Sequence, residues 1–288
     1  MGRRQGIMMP VWRDLERVLQ STSAPDSDVS AELHTSTRTA ASDWGIRSSN
    51  TSERWLEARP QLVENMLKAT IIRAEFCQMC KTERAVIRCA DCMSLSHLCC
   101  GCDQKHHHVY SLHNRSSLTN NCRIPLPPTV MVTNEGRHDT CARILPMELP
   151  QHICDCSNSV SVIVGRPVVF VNINGRYDLN LPELRCRGCC ASWTPQLADL
   201  QQSGYWPATI QFCTVHDTDI FQRFREMKLV APGSSRLSFI RMLEVQTKQH
   251  GRTGKVCSDT FYKAFMEWVI SSIMQNTEVC IVFVNYVS

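Results

Sequence analysis

The chain has 288 residues, 43% hydrophobic and 20% charged, and its 31 basic and 27 acidic side chains leave a net charge of +4. That balance is ordinary for a globular protein and too slight by itself to argue nucleic-acid binding. The longest apolar stretch, residues 160–173, is interrupted by Ser161, Gly165, Arg166 and Pro167, so no membrane span is expected.

The N-terminus has basic residues but no apolar core of signal-peptide length, and Gly6 breaks the myristoylation pattern. Without a secretory signal, the 17 cysteines read as thiolate ligands kept reduced, in a nuclear or cytoplasmic and not a secreted protein. Residues 1–52 are poor in large apolar side chains and are expected to be disordered, apart from a short helix around Trp12–Leu19. From Ser52 to Arg73 the apolar residues Trp55, Leu56, Leu62, Val63, Met66, Leu67 and Ile71 recur at helical spacing, predicting a helix that packs its stripe on the cysteine cluster beginning at Cys77.

That cluster is a dense array of cysteines and histidines. Cys77-x2-Cys80, Cys89-x2-Cys92 and Cys99-x2-Cys102 precede His106, His107, His108 and His113. A two-residue spacer lets both thiolates of a pair reach one ion, so three pairs and two histidines suit two tetrahedral zinc ions. His107 and His113 are the chosen nitrogen donors, with His106 and His108 as alternatives to His107. Cys100 and His97 are bystanders. The helix and this array make a predicted unit over residues 53–120.

Residues 114–150 are punctuated by Pro125, Pro127, Pro128, Pro146 and Pro150 and read as a linker or irregular connection. A second cysteine group lies within a unit spanning 121–192: Cys154-x-Cys156, then Cys186-x2-Cys189. Between its halves Val169, Val171 and Ile173 alternate, Asn174-Gly175 supplies a turn, and Tyr177, Leu179 and Leu181 alternate again. Such a hairpin returns Cys186 and Cys189 to Cys154 and Cys156, as in a zinc ribbon, for a third ion. His152 and Cys190 are alternative ligands.

Residues 193–288 read as helical. Helices are expected from Thr194 to Gln202, over Thr218–Leu229, from Ser234 or Ser235 to His250, and from Ser258 onward, with Val279–Val287 as a final strand. The fold class is thus α+β: small zinc-stabilised modules followed by a helical region. Both cysteine groups supply full four-ligand sets, which suits structural zinc and not a hydrolytic site with an open position. HExxH, the deaminase signature and a phosphate-binding loop are absent from the sequence. No enzyme and no small-molecule substrate are therefore expected.

The order of the first array resembles a B-box zinc finger. That resemblance implies interleaved ligation, with Cys77, Cys80, Cys99 and Cys102 on one zinc and Cys89, Cys92 and two histidines on the other. More broadly, "RWLEARPQLVENML", "VIRCADC", "LCCGCDQKHHHVYSLHNR", "HICDCS", "GRYDLNLPELRCRGC" and the segments from "GYWPATIQFC" to "GRTGKVCSDTFYKAFMEW" resemble the N-terminal region of Kyakuja-Dileera-Zisupton (KDZ) transposases with their CxC-type cysteine cluster. The resemblance covers roughly residues 53–270. It implies a transposon-derived, zinc-binding chain that contacts DNA or chromatin, or in the B-box manner a protein partner. Family transposases continue into an RNase H-like catalytic domain, and the sequence ends about where that domain would begin. Only zinc ligation is carried over, and a fragment of a larger transposase is the third expectation.

Overall fold

The structure is a computed structural model that describes residues 43–70, 75–119, 122–133, 135–156 and 160–287. It divides into two units, residues 1–66 and 67–288. The described part of the first lies in helix α1 (Asp43–Thr70), which starts inside the segment expected to be disordered and runs through Pro60. From residue 50 onward its large apolar side chains are not buried: Trp55, Leu56, Leu62, Val63, Met66 and Leu67 are all exposed. The short helix expected around Trp12–Leu19 lies outside the described residues.

The first cysteine array is built on a four-stranded antiparallel sheet of β1 (Ile87–Cys89), β2 (His97–Leu98), β3 (Arg115–Thr119) and β4 (Cys122–Leu126), ordered β2-β1-β3-β4. Ile87 pairs with Leu98 and Ser117, and all three are completely buried. Helix α2 (Cys100–Val109) follows β2 directly. A two-stranded pair, β5 (Val130–Val132) and β6 (His138–Thr140), comes next. Strands therefore occupy much of the stretch that the prolines mark as a linker. Pro125 is tolerated because β4 is an edge strand, where its missing N–H breaks no ladder.

The hairpin expected around residue 174 is present but is no small ribbon. Strands β7 (Val160–Asn172) and β8 (Gly175–Cys186) are the long centre of a five-stranded sheet, ordered β10-β11-β7-β8-β9. The other strands are β9 (Ser192–Trp193), β10 (Tyr205–Pro207) and β11 (Thr214–Asp217), the last parallel to β7. The turn residues are Ile173 and Asn174, since Asn172 pairs with Gly175. Gly175 has φ +101°, and a Cβ there would lie 2.3 Å from the Thr247 hydroxyl, so only glycine lets the hairpin tip meet its helix.

Alternation along β7 covers both sheet faces. Val168 and Phe170 join Tyr177, Leu179, Leu181, Leu200 and Val215 on one face. Val171 faces the opposite way, into a core with Ile220, Phe221, Phe224, Phe239, Leu243, Phe261 and Phe265. The helices that supply the second core are α4 (Thr218–Val230), α5 (Arg236–Gln249) and α6 (Ser258–Val287), after a short α3 (Leu197–Gln202). Asp217 and Ser235 cap α4 and α5 through side-chain bonds to the Asp219 and Ser238 amides.

Two expectations for the C-terminal region need correction. It is not purely helical, because β10 and β11 return to the sheet, with Pro207 on its outer strand. Residues 279–287 are not a strand, because α6 continues through them to Val287. From Ser258 onward no glycine or proline interrupts the sequence, so each added residue gains a helical hydrogen bond, whereas a lone strand would leave its ladder unmade. Residues 67–288 form one compact unit.

Candidate metal centres

Three sets of four donors converge, each with its donor atoms within 4.8 Å of one another: Cys77, Cys80, Cys99 and Cys102; Cys89, Cys92, His107 and His113; and Cys154, Cys156, Cys186 and Cys189. All twelve residues expected from the sequence fall into these sets, and the first two sets interleave along the chain. The twelve cysteines and histidines of these sets include ten cysteines, all of them free thiols.

The local backbone explains the convergence. In the first set, the turn after Cys77 closes with the Lys81 amide on the Cys77 carbonyl at 2.8 Å, and Lys81 adopts φ +61°. A left-handed residue recurs at the same position in the third set, where Cys190, the residue after Cys186-x2-Cys189, has φ +59°. There the Gly188 amide donates to the Cys186 sulfur at 3.3 Å. Pairing of Val160 with Cys186 across β7 and β8 brings the second half of that set back to the chain following Cys156.

Helix α2 carries donors to two sets at once. Cys102 in its first turn faces the first set, and His107 one turn further faces the second. The phase of this helix sets the three adjacent histidines apart. His107 is buried, His106 half-buried and His108 exposed. Asp103 and His107 lie on one face at i, i+4 spacing, with Asp103 Oδ1 2.8 Å from His107 Nδ1. That acid–histidine spacing is the sequence signal that would have singled out His107. His106 does bring Nε2 to 3.2 Å from the Cys92 sulfur, outside the converging four.

The distances suit tetrahedral ligation. Zinc–sulfur bonds of about 2.3 Å put two thiolates of a tetrahedron about 3.8 Å apart, and the Cys80 and Cys99 sulfurs are 3.8 Å apart. In the second set the Cys92 sulfur lies 3.6 Å from His107 Nε2 and 3.1 Å from His113 Nδ1, and the Cys89 sulfur lies 3.7 Å from His113 Nδ1. His107 thus turns Nε2 to the site and Nδ1 to Asp103. Asp103 is itself fully buried and held by Arg115 at 2.6 Å. Arg115 also donates to the Pro127, Pro128 and Val130 carbonyls. A carboxylate behind a histidine fixes its tautomer and orientation, the usual support for a metal-ligating imidazole.

The electrostatics call for a cation. Cys80 is lowered to about 6, first by the Thr82 hydroxyl and then by the Glu83 amide. Cys186 is lowered to about 7, chiefly by the Cys189 amide. Other members of the same sets are pushed up to about 12: Cys102 by burial and then by Cys99, Cys77 and Cys80, and Cys156 by Cys189 and Cys186. In the second set Cys92 rises to about 12 through burial and Cys89. One thiolate in each set discourages the next, and a dication between them removes that conflict. The residues present therefore fit a metal ion at each site.

Cys190 and His152 are exposed and outside the third set. Cys100 is buried, with its thiol 3.3 Å from the Thr133 carbonyl, in a small apolar cluster with Ile87, Leu126 and Val132. No helix among the described residues is long and apolar enough to cross a membrane. No curated protein and no solved structure matches the chain. A family match covers residues 139–250, narrower than the stretch expected from the sequence motifs, and includes the third donor set but not the first two. Over those residues the chain matches the family described as CxC3 like cysteine cluster associated with KDZ transposases.

Proposed function

We propose that this chain is a non-catalytic, zinc-folded recognition module of transposase origin that binds DNA or chromatin in the nucleus. The observation that carries the zinc reading is the convergence of three complete four-donor sets rich in thiols. Soft thiolate and imidazole donors in fours select zinc over hard cations, and four protein donors leave no position for a reacting water. Two ions in the interleaved array and one in the CxC-type group would supply much of the folding free energy of strands this short.

The nucleic-acid reading rests on the face of the first sheet that points away from Ile87 and Cys89. Arg88 pairs with His97 on one side and Ser116 on the other, and Arg123 lies on the same face, opposite Leu118. Burial and then Arg88 and Arg123 lower the His97 pKa, and burial and then Arg88 lower that of Arg123. His97 is thus held neutral, and Arg88 and Arg123, the latter also donating to the Ala69 carbonyl, are the two cations that a phosphate would meet on this face. A helix-turn-helix reader on α4 and α5 is less well supported. Arg225 lies over the Trp268 ring, Lys228 donates to the Pro232 and Ser234 carbonyls, and Arg236 pairs with Asp259.

Metal analysis of the purified chain is expected to find about three zinc ions, one for each donor set. A gel shift with duplex DNA is expected to weaken steeply with added salt and to be lost in the double variant Arg88→Glu, Arg123→Glu. Metal-free protein with all cysteines open to alkylation would remove the zinc reading. Binding indifferent to salt and to both substitutions would remove the nucleic-acid reading. The interleaving of the first two sets favours a second reading, a B-box-like module for protein partners.

A further inference from the structure

A groove of about 520 Å³ runs between α4 and α6, lined by none of the metal-donor residues. Its floor is aromatic: Phe224 and Phe265 are 2% and 9% exposed. Its walls are Leu229 and Tyr262, which remain 74% and 40% exposed. Val230 and Leu237, the chain neighbours of Leu229 and Arg236, are also exposed, at 87% and 53%. Large aliphatic side chains left in water on neighbouring turns cost free energy that a partner's apolar side chain would recover.

The rim is cationic, and its charges are held in place mainly by groups that do not neutralise them. The Arg225 guanidinium sits 5.4 Å from the Trp268 ring centroid. The Lys228 ammonium donates to the Pro232 and Ser234 carbonyls at 2.7 and 2.9 Å. Arg236 lies 5.0 Å over Tyr262 and meets the carboxylate of Asp259, a largely exposed side chain. Among the described residues Arg225 and Lys228 have no carboxylate partner, so three fixed cations face one exposed acid. Cations already restrained lose little freedom when an anion arrives.

We propose that this groove docks an acidic segment of a partner protein, which inserts one large apolar side chain between Leu229 and Tyr262 and sets carboxylates against Arg225, Lys228 and Arg236. The inference is independent of the nucleic-acid reading of the first sheet. A nucleic-acid strand fits this groove less well. Base stacking needs free aromatic faces in succession, whereas the one well-exposed ring here, Tyr262, is covered on one side by Arg236 and the remaining walls are aliphatic. An amphipathic peptide with an apolar anchor and acidic flanks matches both the floor and the rim.

The test uses the full zinc-loaded chain and a fluorescent amphipathic peptide with a leucine-phenylalanine face and glutamates elsewhere. The controls are the same peptide with lysines for glutamates and a single-stranded thymidine oligonucleotide. The acidic peptide is expected to bind, with affinity that weakens as salt rises, and the basic peptide is not. Lys228→Glu should weaken peptide binding at least tenfold, and Leu229→Ser several-fold. Both positions are exposed and outside the donor sets, so zinc content should hold in both variants. Lys228→Glu also gives up the bonds to the Pro232 and Ser234 carbonyls, and Lys228→Gln, which loses the charge without reversing it, should weaken the acidic peptide less than Lys228→Glu. Equal binding of acidic and basic peptides, or no change with Lys228→Glu in a protein that keeps its zinc, would overturn the proposal. So would an oligonucleotide whose binding is lost in Lys228→Glu while peptide binding persists.

Discussion

At the scale of single residues, the most informative contact lies behind a metal donor. Asp103 is fully buried between His107 and Arg115, where its carboxylate orients the imidazole and compensates the guanidinium. Asp103→Asn keeps the shape and an acceptor but loses the charge. It is expected to weaken zinc at the second set by roughly 10- to 100-fold, read by chelator competition, while the other two sets hold their ions. Cys190 makes a complementary case, because its left-handed backbone (φ +59°) costs a non-glycine residue about 1–2 kcal/mol. Cys190→Gly should therefore stabilise the protein by up to about 1 kcal/mol with the zinc count unchanged, whereas Cys189→Ser should lose one ion. A fall in zinc content with Cys190→Gly would make Cys190 a ligand. The members of each cysteine pair were legible because a short spacer fixes which two sulfurs meet, whereas the interleaving of the pairs came from the B-box resemblance. The choice among His106, His107 and His108 was not, because it depends on the phase of α2 and on a buried partner four residues away.

At the scale of elements, legibility followed the strength of local signals. Helices α4, α5 and α6 begin at Thr218, Arg236 and Ser258, close to the starts expected at Thr218, Ser234 or Ser235 and Ser258, and the β7–β8 turn lies one residue earlier than expected, with Gly175 packed against Thr247. Strands β10 and β11 escaped notice because three or four residues carry no period of their own and acquire one only on joining the sheet, β11 against β7 and β10 against β11. One of those strands holds His216, buried at 1% exposure between Phe221 and Phe261. Burial lowers its pKa to about 3, so the folded state holds the imidazole neutral. The unfolded chain binds the proton near pH 6.5. The stabilisation is therefore complete above about pH 6.5 and is lost as pH falls from there toward 3, at about 1.4 kcal/mol per pH unit. Acid also strips zinc from thiolates, so the comparison that isolates this effect is with His216→Leu under identical zinc. The variant's stability, by urea denaturation between pH 7 and 5, is expected to fall less steeply than that of the parent. Parallel slopes would show that the ring is not held neutral.

At the scale of the whole molecule, residues 67–288 read from the sequence as three successive modules, yet they pack as one compact unit. Arg252 joins the parts. It is 4% exposed and its guanidinium lies 3.8 Å from the Tyr177 ring centroid. One nitrogen donates to Asn114 Oδ1 at 2.9 Å and another to the Asn174 carbonyl at the hairpin tip. Asn114 in turn donates its amide to Asp91 and accepts from the Ala90 amide, and these two residues lie between Cys89 and Cys92. Tyr177 closes the circuit by donating to the Leu112 carbonyl. The adjacent glycine, Gly251 (φ +71°), lets the same loop pass β4, where a Cβ would lie 2.5 Å from the Pro125 carbonyl oxygen. A long-range arrangement of this kind has no local sequence signature. Arg252→Ala leaves buried acceptors unpaired on both sides and is expected to cost about 3 kcal/mol or more. Arg252→Lys should recover little, since an ammonium cannot span two acceptors while stacking on a ring. The decisive measurement is a double-mutant cycle of Asn114→Ala with Arg252→Ala on the zinc-loaded chain, with Cys190→Gly as an uncoupled reference. A coupling of about 0.5–3 kcal/mol, with faster zinc release from the second set in Arg252→Ala, is the outcome expected if metal site and hairpin are fastened through this side chain. Additivity within about 0.5 kcal/mol would mean that the two halves touch without supporting each other.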